Sequence, residues 1–242
     1  MATSSTHAAP LRVVITGANR GIGLGLAKRA AELGHAVIGT ARDPSRAGEL
    51  ATITGAAGRV RVEALDTASE ESCRALAERL AGVPIDVVIN NAGVFPDHGK
   101  GLIEFDASAY AECLRTNAIG PLLVTRALLP GVRAGRKKLV LQISSTMGSI
   151  ASASKGANRG NLAYHASKAA LNMATVLVAS ELRDDGVACV CMCPGWVRTD
   201  MGGANAHLAP MESASAIWAT IDRLGLADSG RFINREGVTI PW

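Results

Sequence analysis

Tyrosine is nearly missing from this chain, with 2 in 242 residues, and all aromatics together reach only 3%. Val, Ile, Leu and Ala must therefore pack the interior, and few rings are left to stack on nucleobases. Long apolar runs are missing as well. No stretch approaches the roughly 18–20 residues of a membrane-spanning helix. The opening decapeptide MATSSTHAAP has neither the basic nor the apolar region of a signal peptide. It reads as a flexible polar arm over residues 1–10, and the chain as cytoplasmic with no membrane partner. Charge of one sign is scarce too: the net value is +4, and GRKK at 135–138 is the one short basic cluster. Nucleic acid is not an expected partner. Cysteine is few and odd in number, at five, which is a poor basis for a disulfide framework. Cys189, Cys191 and Cys193 alternate, so a strand would put all three on one face. That spacing is not C-x-x-C and the histidines are scattered, so no metal site is expected.

What the chain does have is a regular alternation. Hydrophobic residues make up 48% and charged ones 19%, ordinary for a globular chain with a real core. Apolar runs at 11–16, 35–41, 59–65, 85–90, 138–144 and 187–193 read as strands, with a short seventh at 231–234. Helix-period stretches fall near 22–33, 46–53, 69–81, 107–129 and 162–183. Near-continuous apolar strands separated by helices predict a parallel sheet covered on both faces. No Pro/Gly/Ser-rich linker interrupts it. The expected architecture is α/β, one doubly wound Rossmann-type domain over 11–242. Its ligand belongs beyond the carboxyl ends of the strands, where the strand order reverses.

The first strand runs into TGANRGIGLG, residues 16–25. Gly17, Gly21 and Gly23 permit a tight turn, and the following helix offers free N–H groups to a pyrophosphate. The spacing is G-x-x-x-G-x-G, not the general G-x-G-x-x-G fingerprint, and a plain strand–helix turn would look similar. The segment NLAYHASKAALN holds Tyr164 four residues before Lys168. On a helix the two share a face. They are either an incidental surface pair or a functional one.

Four motifs in order bear on that choice: TGANRGIG, NNAG at 90–93, a serine ahead of YHASK, and PGWVRT at 194–199. Together they make the chain resemble a classical short-chain dehydrogenase/reductase over essentially its whole length. ISSTMGSI, SKAALNMA, PGWVRTDMGG and SGRFINREGVTIPW are similar to the subgroup of C-factor-like and sniffer-like carbonyl reductases. The resemblance implies an oxidoreductase reducing an aldehyde or ketone to an alcohol with NADPH, on a small-molecule carbonyl/alcohol substrate. A signalling protein of C-factor type, or a dedicated biosynthetic reductase, is the alternative.

In that scheme Tyr164 is the general acid. A phenol of ordinary pKa about 10 is poorly matched to neutral pH, and Lys168 is expected to lower it while bonding the nicotinamide ribose. Ser145 orients the substrate oxygen, and strand alternation makes Ser144 the structural serine. Asn117 holds a water of the proton relay. Cofactor contacts fall to Gly17, Asn19, Arg20, Gly21, Ile22 and Gly23 in the loop, and to Asp66, Asn90, Ala92 and Gly93. Pro194, Gly195, Val197 and Thr199 complete them. After the second strand, TARDP offers Arg42 where an NAD enzyme would place an acid. Arg42 and Arg20 suit the 2′-phosphate of NADP, although Asp43 could turn inward. The helices at 107–129 and 162–183 imply a homodimer or homotetramer. Ser145 and Tyr164 are 19 positions apart, longer than in many members. The excess lies in the polar segment 149–161, either a solvated connection or a substrate cover. A candidate lid spans 201–216.

Overall fold

The computed structural model describes residues 9–156 and 160–242. Most of the expected N-terminal arm, residues 1–8, and positions 157–159 of the polar insertion lie outside them. The chain opens with β1 (Arg12–Ile15), α1 (Gly21–Glu32) and β2 (Ala36–Ala41). A small antiparallel hairpin follows, β3 (Thr54–Gly55) with β4 (Gly58–Arg59), then β5 (Arg61–Ala64), α2 (Glu70–Arg79) and β6 (Val87–Asn90). The second half brings α3 (Ala107–Leu114), α4 (Gly120–Ala134), β7 (Leu139–Ile143), the short α5 (Ile150–Ala153) and α6 (Leu162–Glu181). It closes with β8 (Ala188–Cys193), α7 (Pro210–Ile221) and β9 (Phe232–Asn234).

All pairings in the main sheet are parallel, in the order β5-β2-β1-β6-β7-β8-β9. The order reverses between β1 and β6, which opens a crevice at their carboxyl ends. Alternation along each strand feeds two cores. Ile15, Ile89, Leu141 and Met192 pack under α1 and α7, with Trp218 among them. Val14, Val88, Val140 and Cys189 pack under α2, α4 and α6. Burial on this scale is worth about 1.5–3 kcal/mol per large apolar side chain. Trp218 also donates its Nε1–H to the Leu26 carbonyl at 3.0 Å, which ties α7 to α1.

Four local expectations are corrected. The helix expected at 46–53 is two 3₁₀ turns, Pro44–Arg46 and Gly48–Thr52. Asp43 caps the first turn, and Gly48 at φ +56° breaks the run. The helix expected at 107–129 runs on to Ala134, and a π turn over Arg115–Ile119 interrupts it. The candidate lid at 201–216 ends early, because from Pro210 onward it is the first turns of α7. The hairpin β3–β4 was not expected at all; each of its strands is two residues long, too short to show a period.

Candidate active site

At the carboxyl end of β1 the chain turns through Gly17 at φ +62°, a conformation that a side chain would strain. A Cβ on Gly23 would lie 2.2 Å from the Gly17 carbonyl oxygen and 2.5 Å from Asn91 Nδ2, so only glycine fits there. The first turn of α1 has no side-chain cap and no acidic residue. Its N–H groups at Gly21, Ile22 and Gly23 are thus open to an anion, and the helix dipole favours one. These features fit the pyrophosphate of a dinucleotide.

The other motifs close around this loop. Ala92 packs on Gly17, with its Cα 3.0 Å from where a Cβ would stand, and Thr199 packs on Gly21 at 3.1 Å. Val197 is buried and pairs with Leu208, while the Pro194 carbonyl accepts from Ser213. The guanidinium of Arg235 lies against Gly195. Asp66 is exposed just past β5 and accepts from the Ala68 amide at 2.9 Å through one carboxylate oxygen. Asn19 is half-buried in the loop.

Asn90 supports the sheet through its side chain. Its side chain points away from the loop and donates to Pro121 O and Thr125 Oγ1 at 3.3 and 3.1 Å. That leaves its backbone for a ligand. The neighbouring Asn91 is the one that braces the glycine loop, donating to Thr16 O at 2.9 Å and Gly17 O at 3.1 Å. Thr16 Oγ1 in turn accepts from the amides of Asn91 and Ala92. Alternation carried this signal, since Asn90 shares a face with Val88, which packs under α4.

The two arginines are exposed. Arg20 pairs with Asp200 at 2.8 Å, with side-chain exposures of 68% and 80%, a pair worth only about 0–1 kcal/mol. Arg42 has no hydrogen-bonding or ionic partner among the described residues. Asp43 does not turn inward. Its carboxylate accepts from Ser45 N and Ser45 Oγ at 2.9 and 2.6 Å, and the Ser45 hydroxyl bond is the main cause holding its pKa low.

Across the crevice, α6 brings Tyr164 and Lys168 together in the interior. Lys168 is 4% exposed and Tyr164 8%. The ammonium lies 5.6 Å from the phenol ring centre and donates to the Ile143 carbonyl at 2.8 Å. Burial drives both groups toward their neutral forms. It pushes the Tyr164 pKa up, opposed by the bond with Ser145, and pushes Lys168 down to about 8. The phenol thus lies above its ordinary range, not below it as expected: burial is the largest cause, and the Lys168 ammonium is bonded to the end of β7.

Ser144 is buried and donates to Asn172 Oδ1 at 2.6 Å. Ser145 is half-buried, and its Oγ accepts from the Met147 amide. Asn117 sits in the π turn, fully buried. Its side chain accepts from Val94 N at 2.8 Å and donates to Val94 O at 2.9 Å and Ser167 Oγ at 3.0 Å. The amide protons are thus used in structure, and the backbone is what remains for a water. Three residues near Tyr164 escaped sequence reasoning. Ser167 bonds the Tyr164 carbonyl at 2.8 Å, Phe95 stacks on its ring at 4.2 Å, and Asp97 bonds the Ala163 amide at 2.7 Å.

A doubly wound sheet with a glycine loop at its switch point, facing a buried Tyr–Lys pair, defines a nucleotide-binding oxidoreductase. The family model for short chain dehydrogenase matches residues 12–208. The chain belongs to that family. It is 43% identical over 169 residues to C-signal of Myxococcus xanthus, covering 70% of this chain and 99% of that protein. An NADPH-bound carbonyl reductase from chicken fatty liver superposes with a TM-score of 0.87 at 34% identity, over 96% and 99% of the two chains. The carbonyl reductase Sniffer of D. melanogaster gives 0.85 at 29%, over 96% and 100%. No helix among the described residues is long and apolar enough to cross a membrane.

Proposed function

We propose that this protein is an NADPH-dependent reductase converting an aldehyde or ketone to an alcohol, with Tyr164 as general acid. The observation that carries the reading is the Tyr164–Lys168 pair. A module that only bound a dinucleotide would gain nothing by burying a phenol that loses and regains a proton, and burying an ammonium beside it costs free energy. Tyr164, a phenol that keeps its proton at neutral pH, gives that proton to the carbonyl oxygen. Ser145 orients that oxygen by a hydrogen bond. Lys168 holds the nicotinamide ribose and supplies the positive charge that favours the phenolate once the proton has left. The Asn117 backbone holds the water through which the proton is replaced. Bound NADPH would supply the hydride to the carbonyl carbon.

The rest of the cofactor is assigned to the glycine loop, Asp66, Asn90 to Gly93, and the 194–199 segment. An unpartnered Arg42 and an Asp43 occupied by Ser45 favour a 2′-phosphate over a free 2′-hydroxyl. α6 leaves Met173, Val176 and Leu177 exposed, with Leu177 at 57%, which supports pairing of this helix between copies as a homodimer or homotetramer; sedimentation as a monomer at micromolar concentration would contradict it. The 43% identity to C-signal supports a second reading, a signalling role of that type. Following NADPH absorbance against aldehydes, ketones and quinones tests the first. Turnover of at least one carbonyl, faster with NADPH than NADH, is expected. NADPH that binds but is never oxidised would leave the second reading standing.

A further inference from the structure

The loop after β6, residues 94–101, is keyed into the start of α6 at several points. α6 begins without a cap of its own: Asn161, which precedes it, is left-handed at φ 56° and its side chain makes no capping bond. The missing acceptor comes from 66 positions away, where Asp97 Oδ2 accepts from the Ala163 amide at 2.7 Å. Asp97 is 5% exposed, and its other oxygen, Oδ1, has no donor among the described residues. Burying a carboxyl group costs stability, so its presence needs a reason.

The loop around it supplies one. Lys100 N donates to the Asp97 carbonyl at 3.0 Å, which folds the loop back on itself. Asn161 N donates to the Lys100 carbonyl at 2.7 Å, and Asn161 Oδ1 accepts from Gly99 N at 2.6 Å. Gly160 approaches so closely that a Cβ there would stand 2.9 Å from the Lys100 oxygen. Phe95, two residues before Asp97, lays its ring on the Tyr164 ring, and His98 stacks on Phe95 at 3.8 Å. Capping bonds act on the first turn of a helix. Tyr164 lies in that turn, whereas Lys168 lies in the next one and has its own anchor at Ile143.

We propose that Asp97 is a positioning residue for Tyr164: by capping α6 from the loop after β6, it fixes the phenol without holding the cofactor anchor. The proposal rests on the reductase reading given above. Asp97→Ala removes the acceptor, whereas Asp97→Asn keeps an oxygen for the Ala163 amide. Asp97→Ala is expected to lower kcat about 10- to 100-fold, the scale of a misplaced catalytic group, with the Kd for NADPH within about twofold of wild type. Asp97→Asn is expected to restore kcat to within about threefold. Amide exchange at residues 162–165 should quicken in the alanine variant and not in the asparagine one, a readout that needs no substrate. If Asp97→Ala is insoluble, Asn161→Gly keeps the left-handed residue, loses the bond to Gly99, and should show the same kcat loss on a smaller scale.

Unchanged kcat and exchange in Asp97→Ala would overturn the proposal. So would a loss that Asn fails to rescue, or an NADPH affinity that falls in step with kcat. The expected exchange pattern in a protein that reduces no carbonyl would instead fault the reductase reading and leave the cap intact.

Discussion

The glycine loop and the seat of Tyr164 face each other across one crevice, and they are held by opposite means. The loop is shaped by what is left out: Gly17 and Gly23 let backbone touch backbone, and its one arginine, Arg20, reaches into solvent. The seat of Tyr164 is shaped by what is brought in. Phe95 and Asp97 from the loop after β6 and Ser145 from the end of β7 converge on the start of α6, where Ser167 and Lys168 of the helix itself join them. A loop made of close approach tolerates no added atom; a seat made of side-chain bonds is sensitive instead to an acceptor taken away.

The comparison is sharpest at Tyr164. Tyr164→Phe should lower kcat about 10²–10⁴-fold, the usual worth of a positioned acid, while NADPH binding and melting temperature stay near wild type. A stopped assay with a fluorescence titration checks both. Turnover near normal would remove the acid from the scheme.

On the opposite side, Arg42→Ala should weaken NADPH about 10- to 150-fold, the equivalent of one charge-assisted bond of roughly 1.5–3 kcal/mol. NADH affinity should barely move. Equal loss for both cofactors would make Arg42 a surface residue of no specificity.

Gly23→Ala tests the close approach itself. The added methyl meets the Gly17 carbonyl and Asn91 Nδ2 inside contact distance, and overpacking of this kind costs about 1–3 kcal/mol. A lower melting temperature with weaker NADPH binding is expected. An equally stable variant would mean that the loop moves freely.

The smallest effect is a pH dependence. Lys168 has its pKa lowered to about 8 by burial, below the unfolded value near 10.4. Between those values the unfolded chain holds the proton and the folded one does not, so this residue makes stability rise with pH through that window. Lys168→Met should therefore melt above wild type near neutral pH, by a few degrees, with the gap shrinking as pH climbs from about 8 to 10. A gap that does not change with pH would show that the buried ammonium carries no net cost.

How far each region could be read beforehand follows from the same contrast. The inner strands of the main sheet were legible because parallel strands buried on both faces are continuous apolar runs, whereas the edge strand β5 showed only alternation. The glycine loop and the Tyr164–Lys168 pair were legible because their spacing is local. The 3₁₀ turns at 44–52 were not, since the Asp43 cap and a left-handed glycine overrode an amphipathic period. α7 carried a fair signal that went unused, with Pro210 in its first turn and Glu212 bonding back to the Ala209 amide at 2.6 Å. Asn91, which braces the glycine loop, had a signal in the strand alternation that splits the two asparagines of the motif. Asp97 had no local signal, because its partner lies 66 residues away. The effect of Lys168 on Tyr164 failed for a related reason: desolvation depends on everything packed around a group, which no pair of positions encodes.

The alternating cysteines of β8 have a consequence for the bench. All five cysteines are free and buried. Burial raises Cys73 and Cys113 to about 11, Cys191 to about 12, and Cys189 well above its ordinary range. Attack on a thiol reagent needs the thiolate and access to it, so the folded chain withholds both. Each of these thiols then becomes a clock for the opening of its own element: Cys73 for α2, Cys113 for α3, and Cys189 and Cys191 for β8, one strand in from the sheet edge. Labelling followed by mass spectrometry would time those openings one by one, with no residue changed and no probe built in.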